Sequence, residues 1–226
     1  MTEIFDRISI QVGLSGYSFR IESESEVTSS GWLGAESIFT VPQMQRRYKD
    51  VLITVFTPYC TLVPENFHKP ELSAQLLSDV VDLPQGAVVD YVRIPEQNAV
   101  MVYSNSIGGT LHRVMSESVL RTDGTKAQPL PELYAMVKSL GDIKDYNRIV
   151  ASYMDGVLYL VIAQGKTLML CNTYSAPDFT TAEYFIFLAM KKLQLNPEMS
   201  TINFRTQLSE ENSMSLYRYF KSVETI

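Results

Sequence analysis

Residues 147–192 constrain this chain more than any other stretch. Residues 148–154 (Arg-Ile-Val-Ala-Ser-Tyr-Met) are rich in strand formers. Asp155-Gly156 follows, a dipeptide that tolerates positive φ at both centres of a two-residue type I′ hairpin turn. Residues 157–163 are then apolar at every position. Such a strand has to be covered on both faces, because a half-exposed one would alternate. Gln164-Gly165-Lys166 turns the chain again, and residues 167–174 form a third strand whose Asn172, Thr173 and Tyr174 lead towards a polar edge. A helix comes next. Thr180 and Glu183 are spaced for a capping box, and Phe179 and Tyr184 for a hydrophobic staple. Residues 184–190 are apolar nearly all round, which predicts a helix sandwiched between layers. Lys191 and Lys192 suit the negative end of that helix, and Asn196-Pro197 stops it. Residues 200–205 read as a fourth strand. Ser209, followed by Glu210 and Glu211, caps a last helix with Leu216, Phe220 and Val223 near one stripe. The order is strand, strand, strand, helix, strand, helix.

A weaker version of the same opening begins the chain. Residues 7–13 alternate as a half-buried strand, Ser15-Gly16 turns it, and residues 17–22 return with Tyr17, Phe19 and Ile21 on one face. Residues 23–37 are a polar Ser/Glu/Gly stretch and predict a loop, with Trp32-Leu33 folding back onto the body. Residues 51–56 are the next strand, and Pro58 and Pro64 confine residues 59–63 to an edge. Pro70 opens a predicted helix, with Leu72, Leu76, Leu77 and Val80 on one face, that ends before Pro84. Residues 87–94 and 99–104 pair around a turn at 95–98, and Leu111, Val114 and Met115 suggest a helix after Gly108-Gly109. Residues 121–131, with Asp123-Gly124 and two prolines, form a joint. Pro131 then starts a helix with Leu133, Met136, Val137 and Leu140 inward and Gly141 as a left-handed cap.

A chain of 226 residues can bury a real core in one large domain or two small ones. Its formal net charge of -6 argues against nucleic acid as a partner, since a nucleic-acid surface needs excess Lys and Arg. The local basic run Arg46-Arg47-Tyr48-Lys49 reads as a solvated loop. No apolar run approaches the roughly 20 residues of a membrane span, and the first residues carry charge instead of a secretory core. The expectation is a cytoplasmic protein without membrane insertion. Cys60 and Cys171 lie in apolar strands and read as small buried hydrophobes.

On residues 7–22, the Leu62-Val63-Pro64-Glu65 step and residues 147–192, the chain resembles a family of bacterial proteins of unknown function, about this long. That resemblance implies an actin-like ATPase fold, α/β, of two ribonuclease-H-like lobes with mixed sheets flanked by helices. The lobes would be residues 1–125 and 126–226, with a cleft between them. Sugar kinases, heat-shock chaperone ATPase domains and the assembly ATPases of pili and secretion systems share that fold. In its working members, the turn after the first strand of each half holds phosphates through backbone amides. An acidic residue at each strand end orients the metal-bound water or the substrate, and a Gly-Gly flanks the adenosine.

Here the first turn reads Gly13-Leu14-Ser15-Gly16, with Gly and Ser but no Asp beside it; the second reads Met154-Asp155-Gly156. Gly108-Gly109 is a poor match to the adenosine motif. Gly13, Ser15 and Gly16 could cradle an anion, and Asp155 with Gly156 could place a carboxylate near a magnesium ion held by water and phosphate. Both are also ordinary hairpin turns that need no ligand. His68 and His112 have no Cys, Glu or second His at a metal-ligand interval. No Gly-x-Ser-x-Gly elbow occurs, and Gly165-Lys166-Thr167 lacks the upstream glycine of a phosphate loop and sits between two strands. The leading expectation is a non-catalytic binding or scaffold protein without a cofactor, whose protein partner and oligomeric state the sequence leaves open. The alternative is an ATPase or kinase-like enzyme using ATP and magnesium.

Overall fold

The computed structural model describes residues 5–24, 26–107 and 111–226. The Gly-Gly at 108–109 lies outside them. In the first half the strands are β1 (Phe5–Val12), β2 (Gly16–Glu22), β3 (Val27–Ser29), β4 (Leu33–Gly34), β5 (Tyr48–Val55), β6 (Cys60–Pro64), β7 (Asp90–Ile94), β8 (Ala99–Tyr103) and β9 (Pro129–Pro131). The helices there are α1 (Ser73–Ser78), α2 (Leu111–Ser118) and α3 (Glu132–Ser139). The second half holds β10 (Asn147–Met154), β11 (Val157–Gln164), β12 (Thr167–Ser175), α4 (Phe179–Lys192), β13 (Thr201–Phe204), α5 (Glu210–Tyr217) and β14 (Ser222–Thr225).

Two of the three sheets repeat one plan. The second half forms a sheet in the order β12-β11-β10-β13-β14, with β10, β13 and β14 parallel and β11 antiparallel to both its neighbours. The first half forms β3-β2-β1-β5-β9, with β4 also on β2; β1, β5 and β9 are parallel and β2 is antiparallel to β1. With β4 set aside, each sheet reads in chain order third strand, second, first, fourth, fifth. The third sheet, β6-β8-β7, is antiparallel throughout. The fold is therefore mixed α/β, with three sheets flanked by helices.

Contact density divides the chain into two units. The first joins the described residues up to Thr57 with Asn105–Glu132; the second joins Pro58–Ser104 with Leu133–Ile226. In the first unit, Ile8, Ile10 and Val12 from β1, Tyr17, Phe19 and Ile21 from β2, and Val51 and Ile53 from β5 form the buried face. Ile38 and Met44, from two 3-10 turns at Ala35–Phe39 and Pro42–Gln45, cover it together with Met115 of α2. Two buried tyrosines tie those turns to the sheet. The Tyr17 hydroxyl lies 3.1 Å from Ser37 Oγ, and Tyr48 donates to the Gln43 carbonyl at 2.9 Å. Burial pushes the Tyr48 phenol up to about 12, partly offset by Arg46.

In the second unit, Ile149, Ala151, Leu158, Leu160 and Ile162 of the sheet meet Ala182, Ile186, Ala189 and Met190 of α4 and Leu216 of α5. The other face of β11, Tyr159, Val161 and Ala163, is equally excluded from water, as its uniform apolarity requires. The Thr173 hydroxyl donates to the Pro58 carbonyl at 3.2 Å, joining β12 to the chain entering β6. Val63, Val100 and Val102 of the small sheet pack on Leu77 of α1. Cys60 is buried and Cys171 half-buried, and neither is in a disulfide. Burial raises both thiols, Cys171 to about 12, which makes them poor nucleophiles.

Several sequence expectations need correction. The stretch 23–37 contains β3, β4 and a 3-10 turn, with Leu33 paired to Tyr17. The helix after Pro70 is a 3-10 turn plus six residues, and Leu72 and Val80 are exposed. Within the expected joint, Pro129–Pro131 is a fifth strand beside β5, so the copy of the plan that begins at β1 runs to residue 131. Gly141 does not take a left-handed conformation. Asp178, not Thr180, caps α4, its side chain accepting from the Thr181 amide at 2.7 Å. Tyr184 stays exposed, so the staple is not formed, and α4 lies on one sheet face instead of between layers. The last helix stops at Tyr217, and Val223 belongs to β14.

Candidate functional site

In open sheets with parallel strands, ligands bind beyond the carboxyl ends of the strands. Both hairpin turns singled out in the sequence lie there, one in each unit.

In the first unit, Gly13 N donates to the Gly16 carbonyl at 2.9 Å, closing the turn between β1 and β2; Leu14 and Ser15 are exposed. Gly16 is a glycine for a steric reason: a Cβ there would lie 2.0 Å from the Leu33 carbonyl oxygen, where β4 pairs with β2. Among the described residues, the glycines with positive φ are Gly31, Gly86, Gly124, Gly156 and Gly165, so this turn contains no left-handed residue. Its backbone therefore differs from the αR-αL form of an anion-binding nest, which is one of the conformations such a nest takes.

Beside this turn lies a polar group that sequence reading missed. Gln11, near the end of β1, donates from Nε2 to Glu132 Oε1 at 3.5 Å and accepts from the Ser18 hydroxyl at 3.4 Å. Glu132 is fully buried and is the first residue of α3, where the positive end of the helix dipole favours a carboxylate. The strand register explains the meeting. Gln11, Thr54 and Leu130 lie in one row across β1, β5 and β9, and Glu132 follows at the end of β9. Asn105 donates from Nδ2 to the Pro129 carbonyl at 2.9 Å, fixing the chain beside that strand end. Gln11 and Glu132 are 121 positions apart, and the only sequence signal was an acidic residue after Pro131 at a helix start.

In the second unit, Asp155 (φ 51) and Gly156 (φ 73) are both left-handed, and Met154 pairs with Val157 across them, as a type I′ turn requires. The Gly156 carbonyl accepts from Ala176 N at 2.8 Å, and the Tyr153 hydroxyl donates to the Ala176 carbonyl at 3.0 Å. The turn is thereby fastened to the chain entering α4. Tyr153 N donates to the buried Thr206 hydroxyl at 3.0 Å, which ties in the end of β13. Burial, with the Asp178 charge, raises the Tyr153 phenol, while the Thr181 amide and hydroxyl hold Asp178 below the usual carboxylate range. Asp155 itself is exposed at the tip.

Asp155 could meet a magnesium ion carried largely by water and phosphate, which needs only one or two carboxylates. The backbone around it has two left-handed residues in succession, those of the hairpin turn itself. Among the described residues, no group of three or more His, Cys, Asp or Glu side chains is placed to hold a metal. His68, in the second unit, has Nε2 2.9 Å from the Ser73 hydroxyl and its ring against Tyr91. His112 is buried in the first unit, and that burial, with Arg113, lowers its pKa. Gly165-Lys166 forms the tight turn between β11 and β12, away from any helix start. No described helix is long and apolar enough to cross a membrane.

Comparison with known proteins places this geometry. A Bacteroides thetaiotaomicron protein of actin-like ATPase fold and unknown function matches with a TM-score of 0.68 at 17% identity, covering 97% of this chain and 90% of its own. The cytoplasmic domain of EpsL, an inner-membrane component of the type II secretion system of Vibrio cholerae, matches with a TM-score of 0.54 at 12% identity, over 90% of this chain and 83% of its own. The PilM–PilN type IV pilus biogenesis complex contains a chain with the same TM-score, 0.54, and identity, 12%, covering 98% of this chain and 88% of its own. At such identities the likeness shows the fold alone, the actin-like ATPase fold. No curated protein matches the sequence. The model of a family described as a protein of unknown function, DUF3822, matches residues 4–223, and the chain belongs to that family.

Proposed function

We propose that this chain is a non-catalytic cytoplasmic binding or scaffold protein that keeps the actin-like ATPase fold without the residues of an ATPase. The observation that carries this reading is Gln11. Near the end of the first strand, where working members hold an acidic residue, stands an amide engaged with Glu132 and Ser18. The Gly13–Gly16 turn, shaped by hairpin closure and by Leu33, supports it. The partner in this reading is another protein. The likeness to a secretion-system component and to a chain of a pilus-biogenesis complex is consistent with that. Calorimetric titration with ATP and magnesium tests it: the expected result is no heat of binding and no phosphate release, and tight binding with turnover would overturn it.

A second reading draws on the exposed carboxylate of Asp155. In it the chain is a nucleotide-binding ATPase or kinase-like enzyme, with Gly13, Ser15 and Gly16 at one phosphate and Asp155-Gly156 at the magnesium. It requires that millimolar ATP with magnesium raise the melting temperature, since a ligand of the folded state stabilises it by mass action. It also requires that Asp155→Asn abolish that shift; an unchanged shift would exclude it.

A further inference from the structure

Exposed apolar side chains stand on the outward faces of α4 and α5, among them Tyr184 and Met214. On α4, Ala182, Ile186, Ala189 and Met190 face the sheet. The opposite stripe, at helical spacing, is Tyr184, Leu188 and Lys191, apolar in its first two members where a surface helix should be polar. Tyr184 is 60% exposed, and Leu188 is half-exposed. Phe187 of α4 reaches the segment that follows α5, its ring 5.0 Å from that of Tyr219 and 5.8 Å from that of Phe220 between centroids. On α5, Leu216 lies in the core, and the outer stripe is Glu211, Met214 and, at the C-cap, Arg218, spaced i, i+3, i+7. Met214 is 59% exposed. Neither Glu211 nor Arg218 forms an ion pair among the described residues.

The charge order along that stripe selects the occupant. It runs acid, apolar, base, so a uniformly acidic or uniformly basic partner would satisfy one end and repel the other. A second copy of the same stripe, antiparallel about a two-fold axis at Met214, sets each Glu211 against the other copy's Arg218. That is the self-complementarity an isologous contact demands. We propose that this chain forms a two-fold homodimer through α4 and α5, with Met214 at the axis and Glu211–Arg218 pairs on either side of it. The dimer does not depend on whether the chain binds nucleotide.

Sedimentation velocity of the full chain, from about 1 µM to about 1 mM, covers the range of such weak-to-moderate contacts. The wild type is expected to convert from monomer to dimer as concentration rises. Arg218→Glu or Glu211→Arg alone places like charges at both ends and should raise the dimer Kd about tenfold or more. The double variant Glu211→Arg/Arg218→Glu restores the order of opposite charges and should return the Kd to within about threefold of wild type. Far-UV circular dichroism verifies the fold of each variant, since both side chains are exposed. A wild type that stays monomeric throughout overturns the proposal. So do single swaps that leave the Kd unchanged, or a double swap that fails to restore it.

Discussion

Between β4 and β5 the first sheet is covered by two 3-10 turns of five and four residues, and between β12 and β13 the second by α4, fourteen residues long. The third strands differ in the same way: β12 has nine residues, whereas β3 and β4 have three and two. The strand plan is nonetheless the same in both. Strand order therefore does not depend on the covering helix; what the sheet requires is apolar side chains at the right place. Ile38 and Met44 meet that need from short turns, and Ile186 and Met190 meet it from a long helix. Short 3-10 segments have poor internal hydrogen-bond geometry. The first sheet compensates by reaching out with Tyr17 and Tyr48 to hold the turns in place.

The largest test of this contrast is truncation of the covering residues. Ile186→Ala, in a fully buried position under a rigid helix, should cost about 2–5 kcal/mol in urea denaturation, towards the upper end. Ile38→Ala should fall at the lower end of the same about 2–5 kcal/mol, because a cavity costs less where its lining can collapse, and a short 3-10 turn with weak internal hydrogen bonds shifts more readily than a long helix. Equal losses at the two positions would break the comparison.

The two hairpin turns offer a smaller and sharper contrast. Gly16→Ala drives a Cβ against the Leu33 backbone, which cannot swing aside as a flexible side chain could. It should cost about 1–3 kcal/mol through overpacking and detach β4, seen as faster amide exchange at Leu33 and Gly34. Gly156→Ala meets nothing nearer than 3.7 Å but keeps a φ of +73°. Its cost should be only the conformational penalty of about 1–2 kcal/mol, with β10–β11 exchange unchanged. Interchanged exchange patterns would show that space and backbone conformation were assigned to the wrong glycines.

What was legible in the sequence follows from how local each signal is. The Asp155-Gly156 turn, the doubly covered β11 and the Tyr17, Phe19, Ile21 face all rest on neighbours a few residues apart, and all form as read. So does the inward face of α3, with Leu133, Met136, Val137 and Leu140 buried. β9 was hidden because Pro-Leu-Pro reads as a break, although a three-residue edge strand tolerates prolines. β14 was hidden because Val223 sits near the helical stripe of Leu216 and Phe220, and only pairing with β13 reveals it as a strand. The cap of α4 was misplaced by two residues because Thr180 and Glu183 match a capping box, while Asp178 reaches the Thr181 amide first. The Gln11–Glu132 contact is a different kind of miss. It exists only because β5 separates two strands distant in the chain, and no local pattern encodes that row.

The caps supply the finest distinction between the two covers. Neither 3-10 turn over the first sheet has a side-chain cap, whereas α4 starts on Asp178, whose carboxylate accepts from the Thr181 amide. That bond, with the Thr181 hydroxyl, lowers the folded pKa beneath its ordinary value of 3.8. A carboxylate with a depressed folded pKa stabilises the fold fully above its unfolded value, and the contribution is lost as pH falls through the folded one. Asp178→Asn retains an acceptor but cannot titrate, and Asn is as good a cap as Asp. Comparing urea midpoints of the two proteins between pH 6 and pH 3 removes the carboxylates they share, including Glu96 and Asp123, whose pKa values are also lowered. The expected outcome is a wild-type advantage, from charge at the helix start, that is constant above about pH 5 and shrinks below about pH 4. Amide exchange should place that loss in the first turn of α4 and leave the turns over the first sheet untouched. A difference that stays constant across the range, or that spreads to residues 35–45, would mean the two covers do not differ in how they are held at their ends.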